Sequence, residues 1–171
     1  IFRLDTEYGG GKTHSLIGLY HTMQGLAGVE SAADFIDPSL IPQGPVRVAA
    51  FDGENADPVN GRSMGNGIYA KTPWGELAYL LAGVAGYRRI QASDAEGTAP
   101  GADTLRELFG GEPTLILLDE LSIYLRKLKS RDRDRTGGQL TAFLTGLIKA
   151  VESSPRAALV FTLAIGKEGK A

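Results

Sequence analysis

The stretch that most constrains the fold of this 171-residue chain is Thr6-Glu7-Tyr8-Gly9-Gly10-Gly11-Lys12-Thr13. A short apolar start, Ile1-Phe2-Arg3-Leu4, precedes it, and an amphipathic run with Leu16, Ile17, Leu19, Tyr20 and Met23 follows. Strand, glycine-rich loop and helix, in that order, are the setting in which Gly-Lys-Thr cradles a triphosphate. Glycines let successive backbone N–H groups face one point, and the helix N-terminus adds the positive end of its dipole. On this reading Gly9, Gly10 and Gly11 form the cradle, and Tyr8 packs over it. Lys12 reaches the β- and γ-phosphates, and the Thr13 hydroxyl becomes a ligand of Mg2+. His14 lies either near the phosphates or on the helix surface. The pattern G-x-x-x-x-G-K-[ST] calls for glycine where this chain has Thr6. A flexible loop followed by a helix is the rival account of the same residues.

Downstream, the helix should fade near residues 25–28, and the prolines at 38, 42 and 45 mark a surface connection. Val46-Arg47-Val48-Ala49-Ala50-Phe51 reads as a buried strand ending at the turn Asp52-Gly53. Residues 53–70 are rich in Gly, Asn and Asp and are expected to be loop. Thr72 is the expected N-cap, with Pro73 at the first helical position, of a helix carrying Leu77, Leu80, Leu81 and Val84. Trp74 is expected to anchor that helix to the body, with base stacking as the alternative. Residues 91–103 read as polar and turn-rich, and Thr104–Phe109 as a short helix.

Pro113-Thr114-Leu115-Ile116-Leu117-Leu118-Asp119-Glu120 puts four apolar residues in a row ahead of two carboxylates. Such a strand is buried on both faces, as in a parallel sheet covered by helices. Helix-like sequence follows at 121–128. Leu140, Phe143, Leu144, Leu147, Ile148 and Val151 then share one helical face, and 157–163 is another buried strand. Strands near 1–5, 46–51, 114–119 and 157–163 alternate with helices, which argues for an α/β protein with a parallel sheet. Right-handed crossovers bring every strand's C-terminal end to one edge, where ligands bind in open sheets. Asp119 would orient Mg2+ there and Glu120 would act as general base on the attacking water. An N-cap for the next helix is the structural alternative for this acidic pair. Thr162 either senses the γ-phosphate or simply fills its strand.

Hydrophobic content of 43% and charge of 22% exclude disorder, and a net charge of −2 gives no global field toward nucleic acid or anionic membrane. DNA contact would have to be local, through the basic segment Arg126–Arg135, which could instead offer an arginine to a neighbouring subunit's γ-phosphate or be simply a solvated loop. The absence of cysteine excludes disulfides and favours a reducing, cytoplasmic setting. No run approaches a membrane span. The chain opens without methionine, so it is expected to be one domain, residues 1–171, of something longer, with a long insertion at about 53–104 before the acidic pair.

Gly-Gly-Gly-Lys-Thr-His with its Leu-Tyr-His helix, Thr-Pro-Trp-Gly-Glu-Leu-Ala, and Leu-Leu-Asp-Glu-Leu-Ser-Ile-Tyr-Leu-Arg together resemble one group of large prokaryotic ATPases. Relatives of that group include the ATPases of BREX-type phage exclusion systems. The resemblance implies an AAA-like, three-layer P-loop domain with additional-strand sheet order 5-1-4-3-2, of which strands 1 to 4 would lie in this chain. It also implies ATP and Mg2+ as ligands and assembly with copies of itself or partner subunits.

Overall fold

The structure, a computed structural model, describes residues 1–6, 9–129 and 135–164. Strand β1 (Phe2–Thr6) leads through the glycine loop into helix α1 (Lys12–Met23). Two single 3-10 turns, Ala32–Asp34 and Pro38–Leu40, lie in the proline-marked connection that follows. Strand β2 (Arg47–Asp52) comes next, then a small antiparallel hairpin of β3 (Arg62–Gly65) and β4 (Ile68–Ala70). Helices α2 (Pro73–Glu96) and α3 (Ala102–Phe109) precede strand β5 (Thr114–Asp119). Helices α4 (Leu121–Lys129) and α5 (Arg135–Glu152) lead to the last strand, β6 (Ala157–Ala164).

The four long strands pair in the order β1-β6-β5-β2, all parallel. Numbering only these four in sequence, the order is 1-4-3-2. Their register sets Leu4 beside Thr162 and Asp52 beside Asp119, so the strand ends meet along one edge. Alternation along β5 divides the core. Leu115 and Leu117 face a small cluster with Leu16 of α1 and Val160. Ile116 and Leu118 face a much larger one with Phe51, Trp74, Leu77, Phe143, Leu147 and Leu159. Among the described residues, one layer is therefore a single helix, and the other comprises α2 to α5. Trp74 is buried, with its ring tilted against Phe143 at 5.4 Å, which is the anchoring role.

Two expectations change. Residues 53–70, read as loop, contain the β3–β4 hairpin. Its turn is Asn66-Gly67, both residues at positive φ (51° and 73°), the dipeptide that suits a tight two-residue hairpin. Residues 91–103, read as turn-rich, are mostly helical, because α2 runs to Glu96. That helix is broken at Ala82 and Gly83, where Gly83 takes φ 62°, ψ −151°, backbone space open essentially to glycine alone. A straight helix would hold positions 72 and 94 roughly 33 Å apart. Instead the Thr72 hydroxyl donates to Asp94 Oδ1 at 2.5 Å, so the two halves of α2 fold back on each other. Thr72 caps the first half as expected, accepting from the Gly75 amide at 3.0 Å.

Candidate functional site

Gly9 and Gly11 both sit at positive φ, 85° and 76°. Added Cβ atoms there would meet nothing within 4 Å, so conformation rather than crowding demands glycine. Gly11 hands the chain into α1, whose first turn has no side-chain cap. Lys12 opens the helix and is buried, whereas His14 is exposed. The loop thus points its glycines and the head of α1 at the C-terminal edge of the sheet. Tyr8 lies outside the described residues, as do residues 130–134 of the basic segment.

Thr13 and Asp119, 106 positions apart, meet there: the Thr13 hydroxyl donates to Asp119 Oδ2 at 2.7 Å. The other carboxylate oxygen, Oδ1, accepts from the fully buried Thr162 hydroxyl at 2.5 Å and from the Glu120 amide at 3.1 Å. Thr162 Oγ1 in turn accepts from the same amide at 3.2 Å. So Thr162 is not a mere strand filler; it ties the end of β6 to the end of β5. Glu120 has φ 50°, a left-handed conformation costly for a residue with a side chain. Its Oε2 is buried with no hydrogen-bond partner. Glu120 supplies no N-cap bond to α4, although its carbonyl accepts from the Ile123 and Tyr124 amides at 3.0 and 3.2 Å.

The neighbouring strand end is packed against this pair. Gly53 donates its amide to the Asp119 carbonyl at 2.9 Å, and a Cβ at Gly53 would run into the Glu120 carbonyl. Asp52 closes the turn that follows β2, accepting from the Glu54 amide at 2.9 Å and the Asn55 side-chain amide at 2.6 Å. Lys127 of α4 donates to the carbonyls of Gly53, Glu54 and Ala56.

A cavity of about 380 Å³ opens beside Thr13 and Asp119 and runs along α1 past Ile17 and Tyr20. Asp52 and Arg62 also line it. Arg62, on the hairpin, escaped the sequence reading because nothing there placed β3 near the strand ends; the Asn66-Gly67 turn was the signal that could have done so. Arg62 Nη1 lies 3.5 Å from Glu76 Oε2 in α2. Burial pushes the Glu76 carboxyl up to about 6 against the opposing pull of Arg62, and Asp52 and Asp94 push the same way as burial. Among the described residues there is no group of three or more His, Cys, Asp or Glu that could hold a metal ion.

Fold and site together define an α/β protein whose parallel sheet gathers a glycine loop, a hydroxyl and two carboxylates at one edge. The chain belongs to the DUF499 family: residues 1–171 match its N-terminal domain. That match speaks to neither nucleotide hydrolysis nor phage exclusion. No curated protein and no solved structure matches the chain.

Proposed function

We propose that this domain binds ATP with Mg2+ and hydrolyses it, as an AAA-like P-loop ATPase that drives conformational change in a larger protein. The observation that carries the reading is the contact of Thr13 with Asp119 at the head of α1, directly after the left-handed Gly11. A hydroxyl and a carboxylate side by side are hard oxygen donors, the kind that Mg2+ takes together with phosphate oxygens. Thr13 and Asp119 would hold the ion, and when bound it supplies neutralisation of phosphate charge. Gly9, Gly10, Gly11 and Lys12 would bind the phosphates. Glu120 would accept the proton of an attacking water, a role that its buried, unpartnered Oε2 supports. Thr162 fixes the Asp119 carboxylate and the Glu120 amide, and so orients both. The strand order 1-4-3-2 supports the additional-strand class. The likeness to ATPases of phage exclusion systems extends the proposal to defence against phage and to assembly with other subunits, in the cytoplasm.

Lys12→Ala should abolish ATP binding in the full-length chain, and Glu120→Gln should retain binding while lowering turnover by roughly 10²-fold or more. Equilibrium binding and phosphate release read both. Wild-type turnover in Lys12→Ala would reject the assignment. Nucleotide binding without any phosphate release by the wild type would instead identify a nucleotide-gated switch.

A further inference from the structure

We propose that Arg62 contacts the terminal phosphate of the bound nucleoside triphosphate, reaching it within the same chain from the β3–β4 hairpin. The inference rests on the ATP reading above and adds to it the group that distinguishes a triphosphate from a diphosphate.

Three observations carry it. First, Arg62 shares the walls of one cavity with Thr13 and Asp119, and among the described residues it is the only arginine or lysine lining that cavity. The rest of that wall's charge is negative, from Asp52 and Asp119. A second anion is poorly served by such a wall unless a cation faces it. Second, the guanidinium is underused. Its ion pair with Glu76 is a single Nη1 contact at 3.5 Å, and its side chain is 43% exposed. A guanidinium carries five donors in a planar fork suited to phosphate oxygens. Third, the segment that presents it is braced before any ligand arrives. Asp57 Oδ1 accepts from the Val59 and Asn60 amides at 2.8 and 2.9 Å, and Oδ2 from the Asn60 side chain at 2.8 Å. Gly61, at φ 72°, passes so close to Ala70 that a Cβ would strike the Ala70 carbonyl. Lys127 holds the start of the same segment to α4. An arginine on a stiff mount loses little freedom on binding, so more of its attraction to phosphate appears as affinity.

Glu76 has a definite part in this arrangement. It is buried and meets the guanidinium at Nη1 alone, while the Arg62 side chain remains partly exposed.

The test compares ATPγS and ADP binding by calorimetry in the full-length chain, with thermal unfolding of each nucleotide-free variant measured alongside. Arg62→Ala should lose about 10- to 100-fold in ATPγS affinity, the range for one charge-assisted contact, and change ADP affinity less than twofold. Arg62→Lys, which keeps the charge and loses the fork, should fall between and guards against a folding defect in the alanine variant. An unchanged ratio of ATPγS to ADP affinity in both variants would overturn the proposal and leave Arg62 as the counter-charge of Glu76 alone. Wild-type protein that binds neither nucleotide would overturn the ATP reading itself, which separates the two failures.

Discussion

Glu76 sits where a carboxylate is least at home: 4% exposed, near Asp52 and Asp94, with Arg62 as its cation. Its folded-state pKa, about 6, lies above the ordinary value of 4.5. Between those values the folded protein binds more protons at this group than the unfolded chain does, so the group's contribution to stability falls as pH rises through the window. Fully ionised, it costs about 2 kcal/mol relative to an unperturbed carboxylate. Glu76→Gln removes that slope. Its stability relative to wild type should therefore increase by about 2 kcal/mol from pH 4.5 to pH 7, as urea unfolding at each pH would show. An identical pH dependence in the two proteins would show that Glu76 titrates normally. At this scale the sequence was partly legible. Lys12, Thr13, Asp119 and Glu120 stand at the start of a helix and the end of a strand, so alternation alone was enough to bring them to one sheet edge. Arg62, Glu76 and Asp94 stand in no such run, since their roles come from chain segments that meet only after folding.

Among the elements, α2 departs furthest from its local signals. Leucines at helical spacing announced its first half, but Gly83 and Gly86 gave no hint of a reversal. Gly86 has no room for a side chain because the Ala78 carbonyl and the Ala82 methyl press against it, and that closeness is the reversal seen from inside. Asp94 locks the two halves. It accepts from the Lys71 amide at 3.1 Å, the Thr72 amide at 2.9 Å and the Tyr87 hydroxyl at 2.8 Å, besides the Thr72 hydroxyl. Asp94→Ala would leave several buried donors unpaired and should cost about 3 kcal/mol or more of stability. Chemical denaturation measures it, and a loss below about 1 kcal/mol would mean that water replaces the carboxylate. The β3–β4 hairpin was missed for a different reason. Its strands are only four and three residues long, too short for alternation to emerge, so the Asn66-Gly67 turn carried all of the signal.

For the whole molecule, alternation of strands and helices was enough to foresee a parallel sheet, because parallel neighbours need long crossovers. Which helices cover which face was not legible, since buried strands show no polar side. The outcome is lopsided: α1 alone, with Ile17 and Tyr20 half exposed, against a layer of four helices. Regions with few buried contacts open first. Backbone amides of α1 should therefore exchange with solvent faster than those of α5, and saturating Mg-ATP should slow α1 the most. Ligand at 100 times its Kd adds about 2.7 kcal/mol to the folded state. Hydrogen exchange followed by mass spectrometry resolves the two helices, and equal slowing of both would place the ligand elsewhere. No helix among the described residues is long and apolar enough to cross a membrane.

The grip of Lys127 on the carbonyls of Gly53, Glu54 and Ala56 makes α4 a strut. It begins one residue after Glu120, and Lys127 near its other end is bound to the segment that leads toward the hairpin. The helix that starts beside the acidic pair is therefore also tied to the turn after β2, so one element joins two neighbouring strand ends. Neither strand end can therefore be displaced far while α4 and this lysine contact stay intact.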